Sequence, residues 1–146
     1  MVIVGEWFPC DDGITRPIVL VGAVGADGGL YRARFLIDSG ADCTVLSAAF
    51  LRALALPPQP PTPGLRLQGV SGDSPFVEVA TTLEFTRDDG GTARVRGQFA
   101  AFTDFAATDL SVLGRDAFAH FDVILSRRRN QVLLLAPNHQ YHVTRS

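Results

Sequence analysis

The chain has 146 residues, of which 47% are hydrophobic, and its formal net charge at pH 7 is -2. A chain of this length can bury about two-thirds of its unfolded surface, which predicts one globular domain over residues 1–146. All thirteen basic residues are arginine. The absence of lysine excludes Schiff-base catalysis, a Ser-Lys dyad and a P-loop lysine.

The first half of the chain is predicted to be rich in β-strand. Residues 18–24 (IVLVGAV) and 30–37 (LYRARFLI) are strand-like runs, and the glycine-rich loop between them is typical of a hairpin. Ser47 then precedes apolar residues at helical spacing, which predicts an N-capped short helix that ends at Pro57. The proline-rich connector over residues 57–64 is expected to be stiff and extended.

The second half is predicted to form further short strands. Between residues 76 and 86, one set of residues alternates with another: Val77, Val79, Thr81, Leu83 and Phe85 with Glu78, Ala80, Thr82 and Glu84. This period of two predicts a half-buried strand whose second set lies on the polar face. Residues 93–99 alternate in the same way, and Arg127, Arg128 and Arg129 are expected at a hairpin tip. Many short strands with one helix predict an all-β domain.

A strongly apolar strand delivers Asp38, Ser39 and Gly40 at its end. Glycine permits a tight turn there and exposes backbone N–H groups that can hold a carboxylate. A carboxylate held in place can act as a catalyst. The tripeptide alone is weak evidence, because it should occur by chance in roughly one chain in ten or twenty of this length.

Three segments in the same order resemble the retropepsin-like, or retroviral-type, aspartic proteases. They are FLIDSGADCTVLS (residues 35–47), LQGVSGDSPFVEV (67–79) and LSVLGRDAF (110–118). The resemblance implies a small closed β-barrel of the retropepsin type with one short helix, active as a two-fold homodimer. It implies an aspartic endopeptidase that acts on polypeptides without a cofactor or metal.

The resemblance also assigns roles within the first segment. It implies that Asp38 is the catalytic aspartate and that the Ser39 hydroxyl binds across to the partner subunit. Gly40 would orient the carboxylate through its N–H, while Ala41 and Asp42 would border the substrate backbone.

The other two segments receive roles in the same way. The resemblance implies a substrate-covering flap with four tip residues: Gly69, Val70, Ser71 and Gly72. Arg115 would form an ion pair with Asp42 that braces the active-site loop. The alternative for Asp42 and Arg115 is two separate solvated charges.

One such aspartate per chain predicts a homodimer. The chemistry needs one ionised carboxylate to activate water and one protonated carboxyl to polarise the scissile carbonyl. Since Asp-Ser-Gly occurs once in the sequence, a two-fold axis would have to supply the second Asp38. The pair would lose its protons in two steps that belong to both residues, which favours acidic to neutral working pH.

Two other functions remain open from the sequence. A catalytically silent, retropepsin-like peptide-binding or dimerisation module could keep Asp-Ser-Gly because those residues stabilise the loop. A glycoside hydrolase could use Asp38 with Asp116, but that reaction needs two carboxylates at a set separation. Nothing in the sequence positions the second one.

Other candidate residues favour ordinary structural roles. Cys10 and Cys43 are expected to be free thiols, and Cys43 a small core residue rather than a nucleophile. His120, His139 and His142 lack a matched carboxylate or thiolate cluster, so we expect solvated histidines rather than a metal site. Trp7 and Phe8 are expected to pack an N-terminal strand or to reach a dimer partner.

The surroundings of the protein are predicted from what its sequence lacks. No apolar segment approaches the ~20 residues needed to span a bilayer, and the first residues show no basic leader or cleavage site. We therefore expect a cytoplasmic protein with no membrane partner. A slightly acidic chain with one short basic cluster is a poor candidate for nucleic-acid binding.

Overall fold

The computed structural model describes residues 2–69, 72–106 and 110–136. The elements in these ranges are β1 (Val2–Val4), β2 (Glu6–Pro9), β3 (Thr15–Val24), β4 (Leu30–Ile37), β5 (Val45–Leu46), α1 (Ala48–Leu54), β6 (Gln68–Gly69), β7 (Gly72–Asp73), β8 (Phe76–Thr86), β9 (Thr92–Phe102), β10 (Ser111–Leu113), α2 (Arg115–Phe118), β11 (Asp122–Ser126) and β12 (Gln131–Leu135). The chain is therefore mostly β, as the sequence predicts.

The largest sheet closes on itself. Its strand order is β2-β3-β4-β10-β5-β9-β8, and β8 also pairs with β3. The closing contacts join Gly22 to Glu84 and Ala23 to Leu83. Closure leaves β3 and β8 without a free edge at this point, since each finds a partner on both sides. The predicted small closed barrel is confirmed.

The barrel core contains the residues that the alternating patterns point inward. Val79, Leu83 and Phe85 of β8 are fully buried, while Arg94, Arg96 and Gln98 of β9 are exposed. Other large, fully buried side chains are Ile18, Val19, Phe35, Leu46 and Leu113. Burial of each such side chain stabilises the fold by about 1.5–3 kcal/mol. Glu78 departs from the predicted alternation, because its side chain is buried too.

The helix α1 forms where its capping residue predicts. Ser47 has an extended backbone, and its hydroxyl accepts a hydrogen bond from the Phe50 N–H at 3.2 Å. The helix ends at Ala55, which adopts a left-handed conformation with φ of 51°. The rings of Phe50 and Phe35 form a T-shaped pair, with centroids 5.9 Å apart. This contact fixes α1 on the barrel.

The connector after α1 pairs with β8 at one point and leads into a hairpin. Gln59 pairs with Glu78 in an isolated antiparallel bridge. The hairpin of β6 and β7 follows, and its strands pair Gly69 with Gly72. Val70 and Ser71, which were assigned to the flap tip, lie outside the described residues.

A second sheet has the order β1-β12-β11. The β11–β12 hairpin turns at residues 127–130, which confirms the predicted position of the three arginines. Trp7 on β2 joins this hairpin to the barrel, because its indole N–H donates to the carbonyl oxygens of Ser126 at 3.2 Å and Gln131 at 3.1 Å. The predicted packing role of Trp7 is thus confirmed within the chain.

In the described part of the chain, no helix has the length and apolar character that a membrane crossing requires.

Candidate active site

Asp38 follows the strand that has strong neighbours on both sides. β4 pairs antiparallel with β3, and its last three residues pair parallel with β10, which sets Ile37 beside Leu113. Phe35 and Ile37 are buried in the core. The Asp38 N–H continues the ladder by donating to the Leu113 carbonyl at 3.1 Å. The apolar run therefore anchors the backbone of the aspartate.

The Asp38 side chain is oriented by its own turn. The Gly40 N–H donates to Asp38 Oδ1 at 2.9 Å, and the Ala41 N–H donates to the Asp38 carbonyl at 3.2 Å. Asp38 is half-buried, whereas Ser39 and Gly40 are exposed. A Cβ added at Gly40 would lie 3.2 Å from Asp38 Oδ1, a crowded distance. Glycine thus lets the backbone approach the carboxylate.

The structure brings Asp42 and Arg115 into contact as an ion pair. Both side chains are exposed, with relative accessibilities of 82% and 60%. Solvent screens such a pair, which is typically worth about 0–1 kcal/mol. The Arg115 N–H also donates to the Ala41 carbonyl at 2.9 Å. This backbone bond ties the loop to α2 whatever the ion pair contributes.

A part-buried hydrogen-bond network behind the loop, between the buried Thr44 and the exposed Asp116, was missed from the sequence. Asp116 Oδ1 accepts from the Thr44 N–H at 2.9 Å, the Thr44 hydroxyl at 2.7 Å and the Ala117 N–H at 2.8 Å. Thr44 Oγ1 accepts in turn from the Gly114 N–H at 3.2 Å. Thr44 is fully buried. The sequence signal for this network is a single threonine next to the apolar residues Val45 and Leu46. A buried hydroxyl needs a hydrogen-bond partner, so a threonine at this place predicts one.

Gly114 is required by the close approach of two backbones. Its φ of -97° is ordinary. A Cβ there would lie 2.5 Å from both the carbonyl carbon and oxygen of Cys43 and 3.0 Å from the Ala41 oxygen. Only a residue without Cβ lets the end of β10 pack against the Asp38 loop.

The predicted site residues form two groups. Asp38, Ala41 and Asp42 lie together with the segment at residues 113–116. Gly69 and Gly72 lie in the hairpin of β6 and β7. Among the described residues, the hydrogen bonds and ion pairs join the loop to residues 113–116 and do not join it to the hairpin.

The exposed side chain of Asp116 is engaged in supporting the loop. Its Oδ1 accepts the three hydrogen bonds that hold Thr44 and the start of α2. A glycosidase would need this group aimed at substrate together with Asp38. Its use inside the loop support disfavours that hypothesis.

Cys43 has the environment of a protected thiol. It is half-buried, and burial raises its pKa, with further increases from the charges of Asp116 and Glu78. A thiol is reactive only as the thiolate, so a raised pKa makes it a poor nucleophile. The prediction that Cys43 has a structural role agrees with this environment.

Residues with metal-binding chemistry are dispersed in the described ranges. There, no group of three or more histidine, cysteine, aspartate or glutamate side chains could hold a metal ion. His120 is exposed and packs edge-on near Phe121, with ring centroids 6.5 Å apart. His139 and His142 lie outside the described residues.

Comparison with known proteins identifies the family of the chain. A family model for aspartyl proteases matches residues 23–117. The EIAV protease, solved with the inhibitor HBY-793, is similar at a TM-score of 0.52 and 22% identity, over 71% of this chain and 86% of that chain. A retropepsin-like aspartic protease from Rickettsia conorii has a TM-score of 0.48 and 14% identity, over 92% and 88%. Among curated proteins, none matches the sequence.

The matched segment covers more than half of the chain and contains Asp38, Thr44 and Gly114. The chain belongs to the aspartyl protease family, and its fold is retropepsin-like.

We predict that Gly114→Ala destabilises the protein strongly. The new Cβ would meet backbone atoms at 2.5 Å, which cannot move as a flexible side chain can. We expect the free energy of unfolding to fall by about 2 kcal/mol or more. Urea unfolding followed by fluorescence of Trp7, the single tryptophan, measures it.

Gly97→Ala is the matched control for this substitution. The three atoms nearest to its Cβ would all belong to the Phe99 ring, the first at 3.3 Å. Its unfolding free energy should change by less than about 1 kcal/mol. Equal stabilities of the two variants would contradict the backbone-contact argument for Gly114.

We predict that Cys43 stays protonated at neutral pH. In a Cys10→Ser background, the rate of iodoacetamide modification should be low at pH 7, with a midpoint above that of an ordinary thiol. In denaturing urea the midpoint should return to the ordinary value, because burial is lost. Rapid modification of the folded protein at pH 7 would contradict the protected environment.

Proposed function

We propose that this protein is an aspartic endopeptidase that acts as a homodimer, with one Asp38 from each subunit. The observation that supports it best is the placement of Asp38. Its carboxylate is oriented by the Gly40 N–H at 2.9 Å, at the end of a strand held on both sides. Membership of the aspartyl protease family supports the same reaction.

In the proposed reaction, two Asp38 carboxyl groups share one proton. The ionised group takes a proton from water as the water oxygen bonds to the scissile carbonyl carbon, and the protonated group gives its proton to the carbonyl oxygen. The C–N bond then breaks as the carboxyl group that took the water proton gives it to the nitrogen, while one hydroxyl of the tetrahedral intermediate returns its proton to the other carboxylate. The products are a new carboxyl group and a new amine, and one proton again remains on the pair.

The neighbouring residues have supporting roles in this proposal. Ser39 is exposed beside Asp38 and would hydrogen-bond across to the second subunit. Ala41 and Asp42 would border the substrate backbone, and Arg115 would brace the loop through Asp42 and the Ala41 carbonyl.

The hairpin of β6 and β7 is proposed to be the flap. Gly69 and Gly72 form the described strand pair nearest the tip of this hairpin. Val70 and Ser71 connect them in the sequence. Glycines at this place let a hairpin lie close to a peptide backbone without side-chain obstruction.

We also propose that residues 1–146 act as one domain. Hydrogen bonds join the second sheet to the barrel, since the Gly5 N–H donates to the Val132 carbonyl and the Asp88 N–H to the Val2 carbonyl, both at 2.8 Å. Such bonds, with the Trp7 contacts, support a shared folding unit.

Asp38→Asn should abolish cleavage without altering the fold. The amide cannot act as the base, so kcat/KM for casein should fall at least about 10³-fold at every pH from about 3 to 8. Asp11→Asn is the control, because Asp11 is exposed in the turn after β2. Both variants should keep the wild-type circular dichroism spectrum and urea midpoint.

Retained peptidase activity in Asp38→Asn would reject Asp38 as the catalyst. An inactive but folded wild type that binds peptides equally well with and without the substitution would instead support a catalytically silent binding module.

Mixing the two proteins should reveal the dimer. If active sites need two Asp38 side chains, mixed dimers are inactive. At concentrations where all chains are paired, a threefold excess of Asp38→Asn should lower wild-type activity to about one quarter. A threefold excess of serum albumin serves as the protein control. Undiminished activity would show that one chain suffices.

A further inference from the structure

Glu78 is a buried carboxylate that the proposed reaction does not use. It lies near the start of β8, and only 5% of its surface is accessible. The sequence pattern places it on the polar face of β8. Its burial therefore means that another part of the chain covers this side chain. A buried carboxylate is costly unless it is hydrogen-bonded.

The contact is with the proline-rich connector. The Thr62 N–H donates to Glu78 Oε1. The backbones of Glu78 and Gln59 exchange two hydrogen bonds, at 2.8 and 3.0 Å. The side chain of Gln98 on β9 donates to Gln59 Oε1 at 3.0 Å. The connector therefore lies on β8 and β9 as a fixed segment.

The composition of the connector makes Glu78 its main anchor. Five of the eight residues over 57–64 are proline, so only Gln59, Thr62 and Gly64 have a backbone N–H there. Two of these three donors, those of Gln59 and Thr62, are used by Glu78. A segment with so few donors has little other means of attachment through its backbone.

Glu78 also lies where both ends of the β6–β7 hairpin meet the barrel. One end follows the connector, where the Leu65 N–H donates to the Thr62 carbonyl at 3.1 Å. The Ser74 N–H closes the hairpin base on the Leu67 carbonyl at 2.9 Å. The other end enters β8 at Phe76, two residues before Glu78.

Glu78 lies one strand away from the segment that follows the Asp38 loop. Ala100 of β9 pairs with Glu78 of β8 on one side and with Val45 of β5 on the other. The pKa of Cys43, which burial mainly raises, is raised further by the charges of Asp116 and Glu78. Cys43 adjoins Asp42 in the loop that begins at Asp38.

We propose that Glu78 is a positioning residue that fixes the connector and thereby sets where the β6–β7 hairpin lies relative to the Asp38 loop. The proposal deepens the proposed protease function and rests on it for its effect on substrate. Its structural part, the attachment of the connector, is independent of activity.

Hydrogen exchange tests the attachment directly. In the Asp38→Asn protein, which avoids self-cleavage, Glu78→Ala should speed exchange of the amides at residues 62–69 by about tenfold or more, because the carboxylate acceptor is lost. Glu78→Gln keeps an acceptor oxygen and should stay within about threefold of the parent. Glu84→Ala is the control on the same strand, because its partner Arg94 lies outside the connector.

A second variant guards against failure of Glu78→Ala to fold. Thr62→Pro removes the N–H that Glu78 accepts and leaves β8 unchanged, and its neighbours Pro61 and Pro63 already suit an extended backbone. It should speed exchange at residues 64–69 by a similar factor. Unchanged exchange in this variant, with the connector as protected as in the parent, would overturn the proposal.

Kinetics of the active protein test the consequence for substrate. Glu78→Ala and Thr62→Pro should each raise KM for a peptide substrate about fivefold or more, with a smaller change in kcat. Glu78→Gln should have a KM close to that of the wild type. Faster exchange with an unchanged KM would overturn the effect on substrate. If the wild type cleaves nothing while the exchange results hold, the proposed function fails and the attachment stands.

Discussion

The site depends on the contact between the end of β10 and the Asp38 loop. The parallel pairing of β10 with β4 places Leu113 beside Ile37, and the next residue, Gly114, meets the Cys43 backbone where no Cβ would fit. This contact brings Asp116 to Thr44 and the Arg115 N–H to Ala41. Without it, a turn of a few residues would have to hold the carboxylate alone.

Two kinds of interaction support the Asp38 loop, an ion pair and a set of hydrogen bonds, and they differ in energy. The Asp42–Arg115 ion pair is exposed and worth about 0–1 kcal/mol. Hydrogen bonds to a charged acceptor contribute about 1.5–3 kcal/mol each, and leaving a buried donor unpaired costs a similar amount. Asp116 Oδ1 accepts two such bonds from the fully buried Thr44. Asp116 itself is exposed, but the Thr44 donors are buried and would be left unpaired without it. These hydrogen bonds therefore hold the loop more firmly than the exposed ion pair does.

The sequence predicted what neighbouring residues determine. The period of two in β8, the Ser47 cap and the hairpin at residues 127–130 are local patterns, and each is confirmed. Burial of Glu78 and Thr44 was not predicted, because their partners Thr62 and Asp116 are 16 and 72 residues away. Periodicity describes one face of one strand and carries no information about a segment that later covers it.

Rigid support on each chain has a consequence for the proposed dimer. Association of two chains costs translational and rotational entropy. Where loops are mobile, ordering them costs conformational entropy as well. Here the Asp38 turn and the hydrogen bonds of Thr44 behind it are formed within one chain. In the proposed dimer, association would therefore have to supply the second carboxylate without first ordering the loop that holds it. Each chain would contribute half of a site whose geometry is already set.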